Sequence, residues 1–238
     1  MKQYILFLAA ILLVIISYGQ KREIDSLLLS DDQVDQIFTE SFKNDKGILY
    51  PICKVYNYRD KTGEYYLVLT ERRYKEDKDE TFNDTIVAIN YKKTDRGFKQ
   101  VMYMRDFILE RNDSNTPEHS VWFWTKYLEL KDFDNDGIIE PVIIYGTLGN
   151  NGLEDGRVKI LTYYKGTKYA VRHQNGPYDM QRYTTVDEAF YTMPVKIQNA
   201  VIDIMDKIED NSHAIFAHSY RKQMSKKKTR FDDVDYSD

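Results

Sequence analysis

The amino-acid sequence predicts a mainly β, β-rich α+β fold. We expect an antiparallel meander, closed as a barrel or packed as a sandwich, with a C-terminal helix on it. Tyrosine, a residue that favours half-buried strands, is frequent, with 20 residues. Apolar runs alternate with turn signals from residue 47 to about 173, whereas helical periodicity dominates only after residue 180.

Residues 1–19 have the organisation of a cleavable signal peptide. Lys2 precedes an uninterrupted apolar run over 4–16, and Ser17 and Gly19 place small side chains before a predicted cut after Gly19 or Gln20. The run is shorter than the ~20 residues of a membrane helix, which disfavours the alternative of an uncleaved anchor. The pattern predicts export to the periplasm or cell surface of a Gram-negative bacterium, with no membrane span after cleavage.

Net charge and cysteine content limit which partners and which sources of stability the sequence predicts. The formal net charge of −4 does not indicate nucleic-acid binding. The single cysteine, Cys53, has no second cysteine for an internal disulfide, so stability must come from the core, assisted by any bound metal.

The lead-in, residues 20–46, predicts one short helix. Ser30 is a suitable N-cap, followed by acidic residues in the first turn. The apolar residues that recur at helical spacing are Val34, Ile37, Phe38 and Phe42.

The main domain, residues 47–220, begins with segments of strand character. The predicted strands are 48–58, 64–73, 84–93, 98–110, 120–130, 139–147, 157–165 and 168–173. Turn signals over 59–63 and 94–97 separate neighbouring strands, whereas 74–83 and 111–119 are charged and predict loops.

Two helices and a tail follow. Thr185 and Glu188 have capping-box spacing for a short helix, and Pro194 suits the first turn of a longer one. The longer helix has an apolar stripe that should pack on the sheet: Ile197, Val201, Ile204, Met205 and Ile208. Residues 221–238 carry a basic block and then an acidic block, which predicts a disordered tail.

One motif has the chemistry of a ligand site. Over 132–140 acidic residues alternate with others, and Gly137 allows a sharp turn. Calcium prefers six or more oxygen ligands, which such a loop supplies. The predicted ligands are Asp132, Asp134, Asp136, the backbone carbonyl of Ile138, and Glu140.

The motif differs from an EF-hand, because Ile143 stands where the bidentate glutamate would lie and strands are predicted on both sides. It resembles the Asp-x-Asp-x-Asp-Gly loops of FG-GAP and related exported β-proteins, in which the ninth residue closes the ion shell. We expect a structural calcium ion. A polar hairpin turn without an ion is the alternative.

Other candidate residues support weaker hypotheses. Glu154 and Asp155 could form an acid pair with Glu140, as a glycoside hydrolase requires. Trp122 and Trp124 share one strand face, where they would either pack in the core or, if exposed, bind sugar rings or a protein. We identify no catalytic residue from the sequence.

The order of segments also resembles a known family. The metal loop over 131–140 leads into a glycine-rich stretch and then the strands 157–161 and 168–172, while 60–67 is similar to that family's first hairpin. This pattern resembles small exported Gram-negative proteins called surface polysaccharide biosynthesis proteins. The chain departs from the family pattern in lacking paired cysteines around the glycine-rich stretch. The resemblance implies a role in surface polysaccharide assembly but no defined reaction.

These observations together predict an exported, calcium-stabilised, non-catalytic protein. Its partner would be a polysaccharide or another envelope protein. The alternatives are a glycoside-directed hydrolase and a carbohydrate- or protein-binding module.

Overall fold

The computed structural model describes residues 26–77, 80–109 and 117–233. Within these ranges the chain forms two antiparallel sheets that are not closed into a barrel, together with a C-terminal helix. The predicted β-rich class is therefore confirmed. The predicted signal peptide, residues 1–19, lies outside the described residues.

The first sheet contains five strands in chain order. They are β1 (Ser26–Leu28), β2 (Ile52–Asp60), β3 (Gly63–Asp77), β4 (Glu80–Thr94) and β5 (Gly97–Phe107). Helices α1 (Asp31–Ile37) and α2 (Glu40–Lys46) lie between β1 and β2 in sequence. Ser30 caps α1 as predicted, in a capping box with Gln33. The second helix, which Thr39 caps, was not predicted.

Residues 74–77 and 80–83 of the charged segment lie in paired strands and not in the predicted loop. β3 and β4 continue to pair outward as far as Asp77 and Glu80, with Lys75 opposite Phe82. The charges did not indicate this, because exposed strands at the end of a long hairpin keep their backbone hydrogen bonds whatever their side chains are.

The second sheet has the strand order β12-β11-β10-β9-β8-β6, with β7 also paired to β8. Its strands are β6 (Ser120–Phe123), β7 (Glu129–Lys131), β8 (Glu140–Leu148), β9 (Arg157–Tyr164), β10 (Thr167–Gln174), β11 (Tyr183–Val186) and β12 (Arg230–Phe231). The predicted strand 120–130 is two strands, because the chain turns where the Tyr127 amide bonds the Trp124 carbonyl.

The short helix predicted from the capping pattern of Thr185 and Glu188 is present but begins later than predicted. Thr185 lies in β11, which pairs with β10, and Thr184 and Val186 of that strand are buried. A short 3₁₀ helix, Glu188–Thr192, follows, and Asp187 makes no side-chain cap. Burial between neighbouring strands therefore overrides the local capping pattern.

Helix α3 (Val195–Asp210) confirms the predicted long helix, and every residue of its predicted apolar stripe is buried. The predicted disordered tail begins too early. α4 (Tyr220–Ser225) and β12 occupy its first part, Met224 and Phe231 are buried, and β12 pairs with β11. These two apolar side chains anchor a segment whose composition is otherwise charged. Residues 234–238 lie outside the described part of the chain.

Three apolar clusters of the described residues separate the layers of the fold. One lies between the two sheets and includes Leu67, Ile86, Ile143 and Leu161. A second joins α1 and α2 to the outer face of the first sheet through Phe38. A third joins α3 and α4 to the outer face of the second sheet. The order is thus helices, sheet, sheet, helices. Among the described residues, no helix has the length and apolar character required to span a membrane.

Candidate metal centre

The predicted ion loop connects β7 to β8 within the second sheet. These strands are antiparallel neighbours, and Lys131 lies opposite Glu140. The strand pairing therefore brings the two ends of the loop together, so that Asp132 and Glu140 start and finish a closed turn. Strands flank the loop on both sides, as the sequence predicted.

Carboxylates of the loop hold its own backbone. Asp132 accepts hydrogen bonds from the amides of Asp136, at 3.0 Å, and Gly137, at 2.8 Å. Asp136 in turn accepts from the amide of Ile138 at 2.8 Å. Asn135 and Gly137 adopt left-handed backbone, with φ of 66° and 86°, which curls the chain around the carboxylates.

The curl brings four carboxylates to one point. Asp132, Asp134, Asp136 and Glu140 each offer an oxygen, and these oxygens all lie within 4.8 Å of one another. The aspartates are half-buried, whereas Glu140 is buried, with 1% of its surface exposed. These are the four side chains predicted from the spacing, and together they could hold a metal ion.

Glu140 shows how strongly the carboxylates affect one another. Burial and the nearby charges of Asp134, Asp132 and Asp136 raise the pKa of its carboxyl group to about 7, although the Phe133 amide donates to it at 2.8 Å. Crowded carboxylates of this kind repel one another unless a proton or a cation neutralises them. An all-oxygen set with this charge fits a hard cation.

The loop also bonds the turn between β2 and β3 in the other sheet. The amide of Lys61 donates to the Gly137 carbonyl at 2.9 Å, and Asp60 accepts from the Ile139 amide at 3.3 Å. The Lys61 ammonium donates to the Asp136 carbonyl and lies 4.0 Å from that residue's carboxylate. The metal loop is therefore a junction between the two sheets.

Sequence reasoning missed Asp60 and Lys61 because they lie more than 70 residues before the loop. The sequence predicts Asp60 only as a turn residue. That role is real, since Asp60 accepts from the amide of Thr62 at 2.7 Å. The second oxygen of the same carboxylate makes the contact between sheets, which no local pattern indicates.

The alternative acid pair gains no support from the geometry. Glu140 faces the aspartates of its own loop. Asp155 is buried and accepts from the amide and side chain of Asn151, which holds the glycine-rich turn, whereas Glu154 is exposed. Glu140 therefore belongs to the carboxylate cluster of its own loop, whereas Asp155 holds the glycine-rich turn and Glu154 faces solvent.

The tryptophan pair is only partly available for binding. Trp124 is 5% exposed and belongs to the cluster beneath α3, so a surface role for both rings is wrong. Trp122 is half-buried and lines an open cleft of about 810 Å³ together with Phe82 and Glu71. The core interpretation therefore holds for Trp124.

Comparison of the chain with protein-family models, with curated proteins and with solved structures finds no match in any of the three.

Proposed function

We propose that this chain is an exported, non-catalytic envelope protein of a Gram-negative bacterium, stabilised by a calcium ion in the loop 132–140. The observation that carries the proposal is the convergence of four loop carboxylates at the junction between the two sheets. A role in surface polysaccharide assembly is part of the proposal and rests on the family resemblance of the segments from 50 to 173.

The donor set favours calcium over magnesium. Alternating carboxylates on a flexible loop, with the Ile138 carbonyl as a further donor, suit an ion that takes six to eight oxygens in variable geometry. Magnesium requires a stricter octahedron and keeps several of its waters. We expect a dissociation constant on the order of 10⁻⁴–10⁻³ M, as in other extracellular calcium modules.

The role that the contacts support is mechanical. Gly137 and Ile139 bond the β2–β3 turn through their backbone, so ordering the loop also orders the contact between the sheets. In this role the four carboxylates hold the ion, and Lys61 secures the loop to the neighbouring turn. Calcium, when bound, supplies only positive charge that relieves the repulsion among the carboxylates.

Calorimetric titration with calcium tests the metal proposal. We expect one ion per chain, weaker binding of magnesium, and loss of binding in the double variant Asp134→Asn, Asp136→Asn, in which each amide oxygen can still accept the loop hydrogen bonds. The control variant Asp45→Asn, Asp77→Asn removes the same charge from exposed sites. Equal calcium binding by both double variants would contradict the proposed site.

Export has its own test. The full sequence is expressed in a Gram-negative host, and the protein is sought by cell fractionation and sequenced from its N-terminus. We expect it outside the cytoplasm with Gln20 or Lys21 as its first residue. A cytoplasmic protein that retains residues 1–19 would overturn the localisation without affecting the metal proposal.

A further inference from the structure

A second recognition feature lies beside the metal loop. The space between the sheets opens there into a cleft of about 420 Å³. We call it the tyrosine cleft, and the residues of interest in it are Tyr58, Tyr65, Asn90, Tyr163, Lys165 and Lys168. Ile138 and Ile139 of the metal loop form part of its wall.

Strand alternation shows that these side chains continue the faces of the inter-sheet core. Asn90 lies two residues after Ala88, and Tyr163 two residues after Leu161, and both earlier residues belong to that core. Lys168 lies opposite Tyr163 in the β9–β10 pairing. Positions that apolar residues fill elsewhere therefore carry an amide, a phenol and an ammonium group at this end.

Two of these polar groups have no hydrogen-bond partner among the residues that the structure describes. Asn90 is 95% buried, since 5% of its surface is exposed, and its amide nitrogen donates to the Tyr58 hydroxyl at 2.6 Å. Its oxygen has no hydrogen-bond partner within the described ranges, and neither has the hydroxyl of Tyr163. Exchanging the oxygen and nitrogen of the amide would still leave one of them unbonded. Unsatisfied buried polar groups are costly, and a ligand hydroxyl, which both donates and accepts, would satisfy either one.

Two lysines lie at the rim of the cleft. Lys165 and Lys168 are exposed, and neither forms an ion pair in the part of the chain that the structure describes. Asp60 also lines the cleft, and its hydrogen bonds from neutral donors leave its negative charge in place. Lys165 lies over the Tyr164 ring and faces the charges of Asp134 and Asp136 in the metal loop. Lys168 is therefore the cation at the rim that can bind an anion, and its position suits a carboxylate on a ligand whose hydroxyls reach Asn90 and Tyr163.

We infer that the tyrosine cleft binds a carboxylate-bearing saccharide, with the sugar hydroxyls on Asn90 and Tyr163 and the carboxylate on Lys168. Parallel tyrosine rings, with Tyr58 and Tyr65 centroids 5.1 Å apart, give the cleft a rigid wall. The inference deepens the proposed polysaccharide role and rests on it for the setting in which such a ligand occurs. The residues that carry it are separate from the metal ligands.

Isothermal calorimetry with tri-galacturonate tests the inference, on protein expressed from the full sequence. Maltotriose serves as the neutral saccharide and citrate as a carboxylate without a sugar. We expect tri-galacturonate to bind and the other two to bind much more weakly. No binding of tri-galacturonate, or equal binding of maltotriose or citrate, would overturn the inference.

Two variants locate the binding. Lys168→Glu should weaken tri-galacturonate binding about tenfold or more, whereas Lys222→Glu, the same change on the exposed face of α4, should alter it by less than about twofold. Tyr163→Phe should weaken binding about fivefold without lowering the melting temperature, because it removes a hydroxyl that has no partner in the described part of the chain.

Tyr91→Phe is the matched control for the phenol. Its hydroxyl is also buried with no partner among the described residues, but the ring lies under α1 and α2 and not in the cleft. Unchanged binding in both Lys168→Glu and Tyr163→Phe would place the ligand elsewhere. Repeating the saccharide titrations in EDTA separates the cleft proposal from the metal proposal. Saccharide binding by protein that shows no calcium effect would support the cleft and would contradict the metal site.

Discussion

At the scale of single residues, the carboxyl group of Glu140 reports most directly on the charge of the metal loop. Without a cation, its raised pKa means that the folded protein holds this proton more tightly than the unfolded chain does. Stability without metal should therefore fall as the pH rises from about 4.5 through about 7. Calcium should bind more weakly below this range, because the proton competes for the same oxygens.

The variant Glu140→Gln tests whether the stability of the metal-free protein falls as the pH rises. In EDTA the variant should match the wild type near pH 4.5 and be the more stable protein at about pH 8, because the glutamine is neutral and can still accept from Phe133. It should also lose most of the calcium stabilisation. Urea unfolding at several pH values measures both effects, and a variant that is less stable than the wild type in EDTA at high pH would contradict the assignment.

Lys61 should compete with the ion. Lys61→Met removes an ammonium group 4.0 Å from the Asp136 carboxylate while keeping the backbone bond to Gly137. We expect calcium affinity to rise about two- to fivefold, which corresponds to the ~0.5–1 kcal/mol of a partly exposed charge pair. The metal-free protein should melt at a lower temperature. Lys222→Met is the control, and an unchanged or weaker calcium affinity would count against the proposed geometry.

Some residues of the metal site can be predicted from the sequence, and others cannot. The four clustered carboxylates follow from spacing alone, because alternate residues of a tight loop turn their side chains inward. Lys61 and Asp60 could not be assigned to the site, since their contact depends on how the two sheets face each other. The role of the buried Asn90 was likewise not predictable, because the sequence of an apolar strand does not show which residues face its asparagine.

At the scale of elements, the strands and α3 were predictable because their apolar periodicity matches the burial that the fold provides. The wrong predictions of secondary structure lie where strand pairing, or the burial of a few apolar side chains, has more influence than local composition. β3 and β4 pair along their charged ends, β11 replaces a predicted helix start, and β12 orders part of a charged tail. In each case a neighbouring strand supplies backbone hydrogen bonds that the local sequence does not show.

A buried ion-pair network joins the segments on either side of residues 110–116. Arg157 donates to both oxygens of Glu118, whose side chain is 2% exposed, and to the Phe107 carbonyl at 3.0 Å. Arg157→Ala leaves the Glu118 charge buried and should cost about 3–5 kcal/mol. The double variant Arg157→Leu, Glu118→Leu should cost markedly less. Urea unfolding measures both, and equal losses would contradict the view that an uncompensated charge causes the effect.

The C-terminal strand should contribute to the stability of the whole second sheet. Phe231 is 6% exposed in the cluster beneath α3 and α4, so Phe231→Ala should cost about 3 kcal/mol. Phe107→Ala, at a side chain that is 50% exposed, should cost far less. Thermal unfolding compares them. If Phe231→Ala is as stable as the Phe107→Ala control, β12 does not contribute to stability, and the disordered tail predicted from composition would be supported.

At the scale of the whole molecule, the β-rich class with a packed C-terminal helix was predictable from tyrosine content and from the order of periodic segments. The four-layer arrangement was not, because nothing local shows that α1 and α2 cover one sheet while α3 and α4 cover the other. That arrangement places the metal loop between the sheets. An ion there should stabilise the molecule globally, and not the loop alone.

Thermal unfolding in calcium and in EDTA tests this claim most directly, on the wild type and on an Asp134→Ala, Asp136→Ala variant. With a dissociation constant on the order of 10⁻⁴–10⁻³ M, about 10 mM calcium should stabilise the fold by about 1.4–2.7 kcal/mol. For a chain of this size that raises the melting temperature by roughly 3–10 °C. We predict this rise in the wild type and its loss in the variant. An identical melting temperature of the wild type in calcium and EDTA would contradict the account.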